Sequence, residues 1–154
     1  MTTNALRIVR SLGLAVETLE YEWSEDDLSA TAAAEKLGMD PDRVFKTIVV
    51  RGARLGPFLC VVPGSVEVDL KKAAKAAGDK AVEPLPLREL EPLTGYIRGG
   101  CSPVGTKKPL PVFIDETACL WDTVSVSAGA RGLQMILSPD DLAKASHATF
   151  ADLT

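Results

Sequence analysis

Lys46 stands inside the run PDRVFKTIVV, residues 41–50. The run is apolar and follows a proline turn, so it is expected as a core strand. Side chains alternate along a strand, which puts Val44, Lys46, Ile48 and Val50 on one face and Phe45, Thr47 and Val49 on the other. A lysine among aliphatics can lie along apolar surface and keep its ammonium in water. Otherwise the charge needs an anion or a water-filled pocket, because burying it alone is costly. A pocket that receives an anionic or carbonyl-bearing ligand would meet that need.

Residues 95–111 form a second chemical feature, with four glycines and three prolines among seventeen positions. In Gly99, Gly100, Cys101, Ser102 and Pro103 the backbone can come close to a ligand and offer several N–H groups to one oxygen. The same composition suits a tight connection between strands. Cys101 invites a nucleophile reading, but a catalytic thiol needs a base. The chain holds a single histidine, His147 near its end, in a segment with no partner signature. The plainer reading of Cys101 is a small residue in a tight loop; Cys60 and Cys119 are expected in the core, and His147 on the surface. Ser127 ends an alternating strand and runs into Gly129, Arg131 and Gly132. That places a hydroxyl and free N–H groups at the rim of a sheet. No G-x-S-x-G elbow is present, which argues against a serine hydrolase. Arg131 can hold a phosphate or carboxylate, or simply face solvent in a turn.

Elements that position these residues follow from periodicity and punctuation. Residues 3–12 have Ala5, Ile8, Val9 and Leu12 at helical spacing before Gly13, and 15–23 suit a strand. A helix capped by Ser29 and stopped by Gly38 precedes the lysine strand. A short glycine-bearing turn and the run PFLCVVPG then make an antiparallel hairpin. Asp69 caps another helix, DLKKAAKAAG, which ends at Gly78. A proline-rich stretch with a short helical piece, the glycine loop, and strands in VFID, TVSVSAG and LQMIL follow, with a capped helix, SPDDLAKA, near the end. The mixture lacks a strict βαβ rhythm. It predicts one α+β domain over 1–154, a mixed and largely antiparallel central sheet or partly closed barrel flanked by helices.

Composition narrows the function. With 154 residues, 46% of them hydrophobic, the chain can bury a real core. No stretch reaches the length of a membrane span, and MTTNALRIVRSLGL lacks the apolar region of a secretory signal. Three cysteines without CxxC spacing point to a reducing cytoplasm, with no disulfide framework or zinc site. The net charge of −4 excludes a protein that grips long nucleic acid by itself, since phosphate neutralisation supplies most of that affinity.

The combination VFKT, then GG-x-SP-x-G-x-KK-x-LP, then S-x-G-x-RG resembles the bacterial YbaK/EbsC family, the Cys-tRNA(Pro) deacylases, within the wider prolyl-tRNA-synthetase-associated editing domains. Nearly the whole chain takes part, including KLGMDPDRVFKTIVV, VDLKKAAKAAGDKAVE, TGYIRGGCSPVGTKKPLPVFID and VSVSAGARGL. The resemblance implies hydrolysis of the ester joining a mischarged amino acid to the 3′ end of tRNA. Lys46 matches the family's essential lysine and Thr47 its neighbour. Tyr21 matches a pocket tyrosine, Gly99 to Pro103 the loop that addresses the aminoacyl carbonyl, and Ser127 and Gly129 a second pocket wall. Cys101 falls at a variable position of that loop. Gln134 stands where some relatives carry aspartate, and Ala130 where some carry a second basic residue; both departures bear on the substrate. The implied mechanism needs no protein nucleophile, because the thiol of the misplaced cysteine attacks its own ester. Expected partners are the acceptor end of aminoacyl-tRNA, gripped by Lys71, Lys72, Lys75, Lys80, Lys107 and Lys108, and prolyl-tRNA synthetase. No metal or organic cofactor is expected. Alternatives are a deacylase for Ala- or Ser-tRNA, or a non-catalytic module binding an aminoacyl group or nucleotide.

Overall fold

The helices begin where a side-chain oxygen can satisfy a free backbone N–H. In a computed structural model describing residues 2–154, Thr3 caps α1 (Asn4–Ser11) and Ser29 caps α2 (Ala30–Leu37). Asp69 accepts from Lys71 N and Lys72 N at the start of α3 (Leu70–Ala77), and Ser138 from Asp141 N at the start of α5 (Pro139–Ser146). A short helix, α4 (Leu90–Thr94), continues from a 3-10 turn at Leu87–Glu89.

The lysine run forms β2 (Phe45–Gly52), hairpinned against β3 (Gly56–Pro63) with Lys46 opposite Val62. Strand β1 (Glu17–Glu20) is shorter than the expected 15–23. Its ladder with β7 (Leu133–Leu137) covers four residues, and one more bond, from Tyr21 N to Gly132 O at 2.9 Å, extends it before the chain departs. The other strands are β4 (Val82–Pro84), β5 (Val112–Asp115), β6 (Val124–Ala130) and β8 (Thr149–Ala151).

These strands make an α+β fold with two sheets where one central sheet is expected. Strands β1-β7-β6 form an antiparallel sheet of three. The sheet of five, β4-β2-β3-β5-β8, is mixed, because β5 pairs in parallel with both β3 and β8. The sheets touch through a parallel bridge between Val44 and Ser125, and among the described residues no barrel closes. The reason lies along the outer edge of β2, where β6 reaches only its start and β4 only its last three residues.

Each face of the β2–β3 hairpin packs into its own apolar cluster. Phe45, Val49, Leu59 and Val61 join the larger one with α1, β6 and β7, while Val50, Phe58, Cys60 and Val62 meet Ala73 of α3 and Leu153. Leu153 is seated by Asp115, whose buried carboxylate accepts from Leu153 N at 2.8 Å. Cys119, expected in the core, is exposed: it falls in a 3-10 turn, Glu116–Leu120, whose one inward side chain is Ala118. Among the described residues no helix is long and apolar enough to cross a membrane.

Candidate functional site

The gap along β2 is a cavity. Antiparallel pairing turns successive residues alternately toward one neighbour and the other. Val44 O accepts from Gly64 N on the β3 side, and Val49 O accepts from Leu85 N on the opposite edge. Thr47 lies two residues from Val49 and so directs its peptide N–H and C=O to that outer edge, between the reach of β6 and that of β4. Phe45 to Val49 all line a cavity of about 310 Å³ at this place. Leu28 and the first turn of α2 cover it, with Leu85, Leu87 and Leu90 on one side and Tyr21, Ser127 and Gln134 on another. Arg98, Gly99 and Cys101 of the glycine loop complete the wall.

Lys46 is one of the residues lining this wall, and its side chain is only 19% exposed. The ammonium lies 3.2 Å from Glu67 Oε1 and 3.4 Å from Gly64 O. A carboxylate of the chain itself therefore answers the charge at rest, and it does so from the surface, since the Glu67 side chain is 92% exposed. A more acidic or better placed ligand can replace it.

Thr47 presents the sharper anomaly. Among the described residues its Oγ1 is the buried side-chain oxygen or nitrogen without a hydrogen-bond partner. Such orphans are rare because a buried hydroxyl loses its water without compensation. Across the cavity, Gln134 of β7 is directly opposite Ser127 of β6, and its amide oxygen accepts from Ser125 Oγ at 2.9 Å. That bond aims the amide oxygen at β6 and leaves the NH₂ as the group free to face the cavity.

The glycine loop is held from behind. Tyr96 donates from its hydroxyl to Val104 O at 2.6 Å, and burial pushes its own pKa up to about 12. Gly99 adopts φ +85°, and a Cβ on Gly100 would meet Arg131 N at 2.9 Å, so the loop lies flat on the turn between β6 and β7. Gly100 N is spent on Ile97 O at 2.9 Å. Among the described residues, the Gly99 and Cys101 N–H groups donate to no other backbone carbonyl. Cys101 is buried, and desolvation pushes its thiol up to about 12, with a Thr94 hydrogen bond acting the other way. A thiol that stays protonated is a poor nucleophile, and no histidine stands in the wall. His147 caps the C-terminus of α5 on the surface.

Of the residues singled out from the sequence, Tyr21, Lys46, Thr47, Gly99, Cys101 and Ser127 share this cavity. Gly100, Ser102, Pro103, Gly129 and Arg131 do not line it. Ser102 is wholly buried and takes Val104 N on its hydroxyl, which shapes the loop from within. Gly129 sits in the bulge between Ser127 and Ala130, and its N–H binds Ser127 Oγ at 3.1 Å. Arg131 is no solvated turn residue: its guanidinium lies 5.2 Å from the centre of the Trp23 ring and Nε donates to Arg98 O at 2.8 Å. None of the six lysines of the expected basic patch lines the cavity, and Lys72 is tied to Asp152 at 3.1 Å. Sequence reasoning missed Arg98, Glu67 and the site placement of Gln134. The signal for Gln134 was the same as for Lys46, a polar residue inside an apolar strand.

Comparison with known proteins bears on the family and the fold. Residues 25–145 match the model of the aminoacyl-tRNA editing domain. A protein of Enterococcus faecalis, provisionally named the Cys-tRNA(Pro)/Cys-tRNA(Cys) deacylase EbsC, is 47% identical over 152 residues, 99% of this chain and 93% of its own length. The uncharacterised YwhH of Bacillus subtilis is 30% identical over 125 residues, 81% of this chain and 79% of its own. A crystal structure described as that of a candidate trans-editing enzyme for prolyl-tRNA synthetase superimposes with a TM-score of 0.81 at 28% identity, covering 100% of this chain and 98% of the other. The chain belongs to the aminoacyl-tRNA editing domain family.

Proposed function

We propose that this chain is a trans-acting aminoacyl-tRNA deacylase that hydrolyses Cys-tRNA(Pro), with the aminoacyl-adenosine end held in the cavity along β2. The observation that carries the reading is Thr47, whose buried hydroxyl lacks a partner while its peptide groups face an unpaired edge. A structure tolerates such groups where a ligand completes them. The name of the 47% identical relative supports the substrate.

On this reading Lys46 leaves Glu67 for a phosphate or the ester region of the substrate. Thr47 and Gln134 orient the aminoacyl group, and the N–H groups of Gly99 and Cys101, which no backbone carbonyl takes up, stabilise negative charge developing on the ester oxygen. The substrate's thiol attacks its own carbonyl carbon, the bond to the ribose oxygen breaks, and that oxygen takes up the proton which the thiol gives up. Free tRNA leaves, and water opens the cyclic thioester to cysteine. The protein's share is orientation and electrostatics, which suits a wall with no deprotonated nucleophile. Net charge −4 leaves most of the tRNA to another protein, and prolyl-tRNA synthetase in the cytoplasm is the partner we assign.

Turnover on Cys-, Ala- and Ser-tRNA(Pro), compared for the natural chain and Lys46→Ala, tests the reading. Fastest loss of cysteine, cut by roughly 10²–10³ in the variant, is the expected result. A preference for Ala or Ser would replace the thiol by water as the attacking group. Tight binding with no turnover of any of the three would make the chain a binding module.

A further inference from the structure

Tyr21 belongs to two hollows. One is the cavity along β2; the other, of about 430 Å³, is bordered by Glu20, Tyr21, Glu22, Trp23, Ser24 and Lys36. Trp23 is 43% exposed, unusual for a large ring beside a site. It is nevertheless seated firmly. Arg131 lies over it, anchored through Nε to Arg98 O and 3.7 Å from Glu25 through Nη1. A Cβ on Gly132 would come within 2.7 Å of the indole Cδ1, so the turn between β6 and β7 needs glycine to admit the ring.

Resting on the reading of the β2 cavity as the site of the aminoacyl-adenosine end, we propose that this second hollow binds the base of the preceding unpaired nucleotide, stacked on Trp23, whose ring Arg131 holds in place. An exposed ring with a guanidinium beside it is the arrangement on which single-stranded bases stack. The charge pattern selects the base over its phosphate. Glu20 and Glu22 border the hollow, and the ammonium of Lys36 is occupied by Glu22 O at 2.7 Å. A flat neutral ring with amino donors is compatible with those carboxylates; a phosphate is not. The phosphate between the two nucleotides falls to Arg98, an exposed residue that lines the first cavity and whose carbonyl anchors Arg131. Tyr21 borders both hollows, which places them side by side.

The test compares two substrates, charged tRNA and an aminoacyl-adenosine that lacks the preceding nucleotide. Trp23→Leu is expected to raise KM for charged tRNA on the order of tenfold with little change in kcat. Cleavage of aminoacyl-adenosine is expected to be unchanged, and Trp23→Phe to recover most of the loss. Equal effects on both substrates, or none on either, overturn the proposal. A second readout does not depend on turnover: a short uncharged RNA ending in CCA quenches tryptophan fluorescence saturably in the natural chain and not in Trp23→Phe. Quenching without deacylation would refute the enzyme while keeping the base site. Deacylation without quenching would refute the base site alone.

Discussion

Replacing Thr47 by valine should make the protein more stable and less active. The two side chains are nearly the same size, so the exchange leaves packing against Phe45 and Val49 almost intact. What changes is the Oγ1 atom, which is buried and without a hydrogen-bond partner. Burying an unsatisfied hydroxyl costs about 1–3 kcal/mol. Part of that is recovered by a methyl group, so a gain of about 1 kcal/mol is expected, equivalent to about 2–4 °C in Tm for a chain of this size. If the hydroxyl serves the substrate, the variant loses one neutral hydrogen bond, worth about 0.5–1.5 kcal/mol, and kcat/KM falls by about two- to tenfold. Urea unfolding at constant m and deacylation of charged tRNA measure the two effects separately. Thr47→Ser is the matching control: it keeps the oxygen and loses a methyl, so it should retain activity at some cost in stability. A Thr47→Val protein that unfolds at lower urea would refute the reasoning, since the hydroxyl must then be bonded in the resting fold. A stabilised variant with full activity would separate the hydroxyl from the substrate.

Glu67→Gln should lower KM for charged tRNA by about two- to threefold, because an ion pair whose carboxylate is this exposed contributes little to folding and the Lys46 ammonium loses its resting competitor; steady-state kinetics at fixed ionic strength checks this, and a raised KM would oppose it. Leu153→Ala should cost about 2–4 kcal/mol in urea unfolding, since Leu153 is fully buried beneath α3. Stability should fall as pH rises above about 9: Cys60 and Cys101 are both raised by burial from 9.0 to about 12, so the folded chain holds protons that the unfolded chain releases in that window. Thermal melts from pH 8 to 11 should show this decline, and a flat profile would contradict it. At pH 8 a thiol reagent should titrate Cys119 alone in the native protein and all three cysteines in denaturant.

The hairpin, the capped helices and the loop were legible because each depends on neighbours in sequence: Ser29, Asp69 and Ser138 cap where they were expected. Lys46 was legible as a conflict, and six of the eleven candidate residues meet in one cavity. The anion that answers Lys46 was not, because Glu67 comes from a segment 21 residues away whose course depends on α3 and Leu153. Nor was the division into two sheets. That depends on how far β4 and β6 extend along β2, a matter of tertiary docking that no local pattern records. The seat of Arg131 was not legible because its ring partner, Trp23, lies over a hundred positions earlier in the chain. Cys119 was misplaced by residue type: cysteine is usually buried, but a tight turn turns every second or third side chain outward.

The interrupted flank of β2 also sets how this fold can change. A few added residues of pairing after Leu85 would zip β4 along the strand and satisfy Thr47 from within. Such a protein would be sturdier and have no room for a guest. The vacancy is kept by shortness: β4 has three residues, and the chain turns away at Pro86 into a 3-10 turn. Proline cannot donate to a ladder, so this one residue stands guard over the opening. Lengthening or shortening the segment just before it is therefore the natural way to resize what the fold admits.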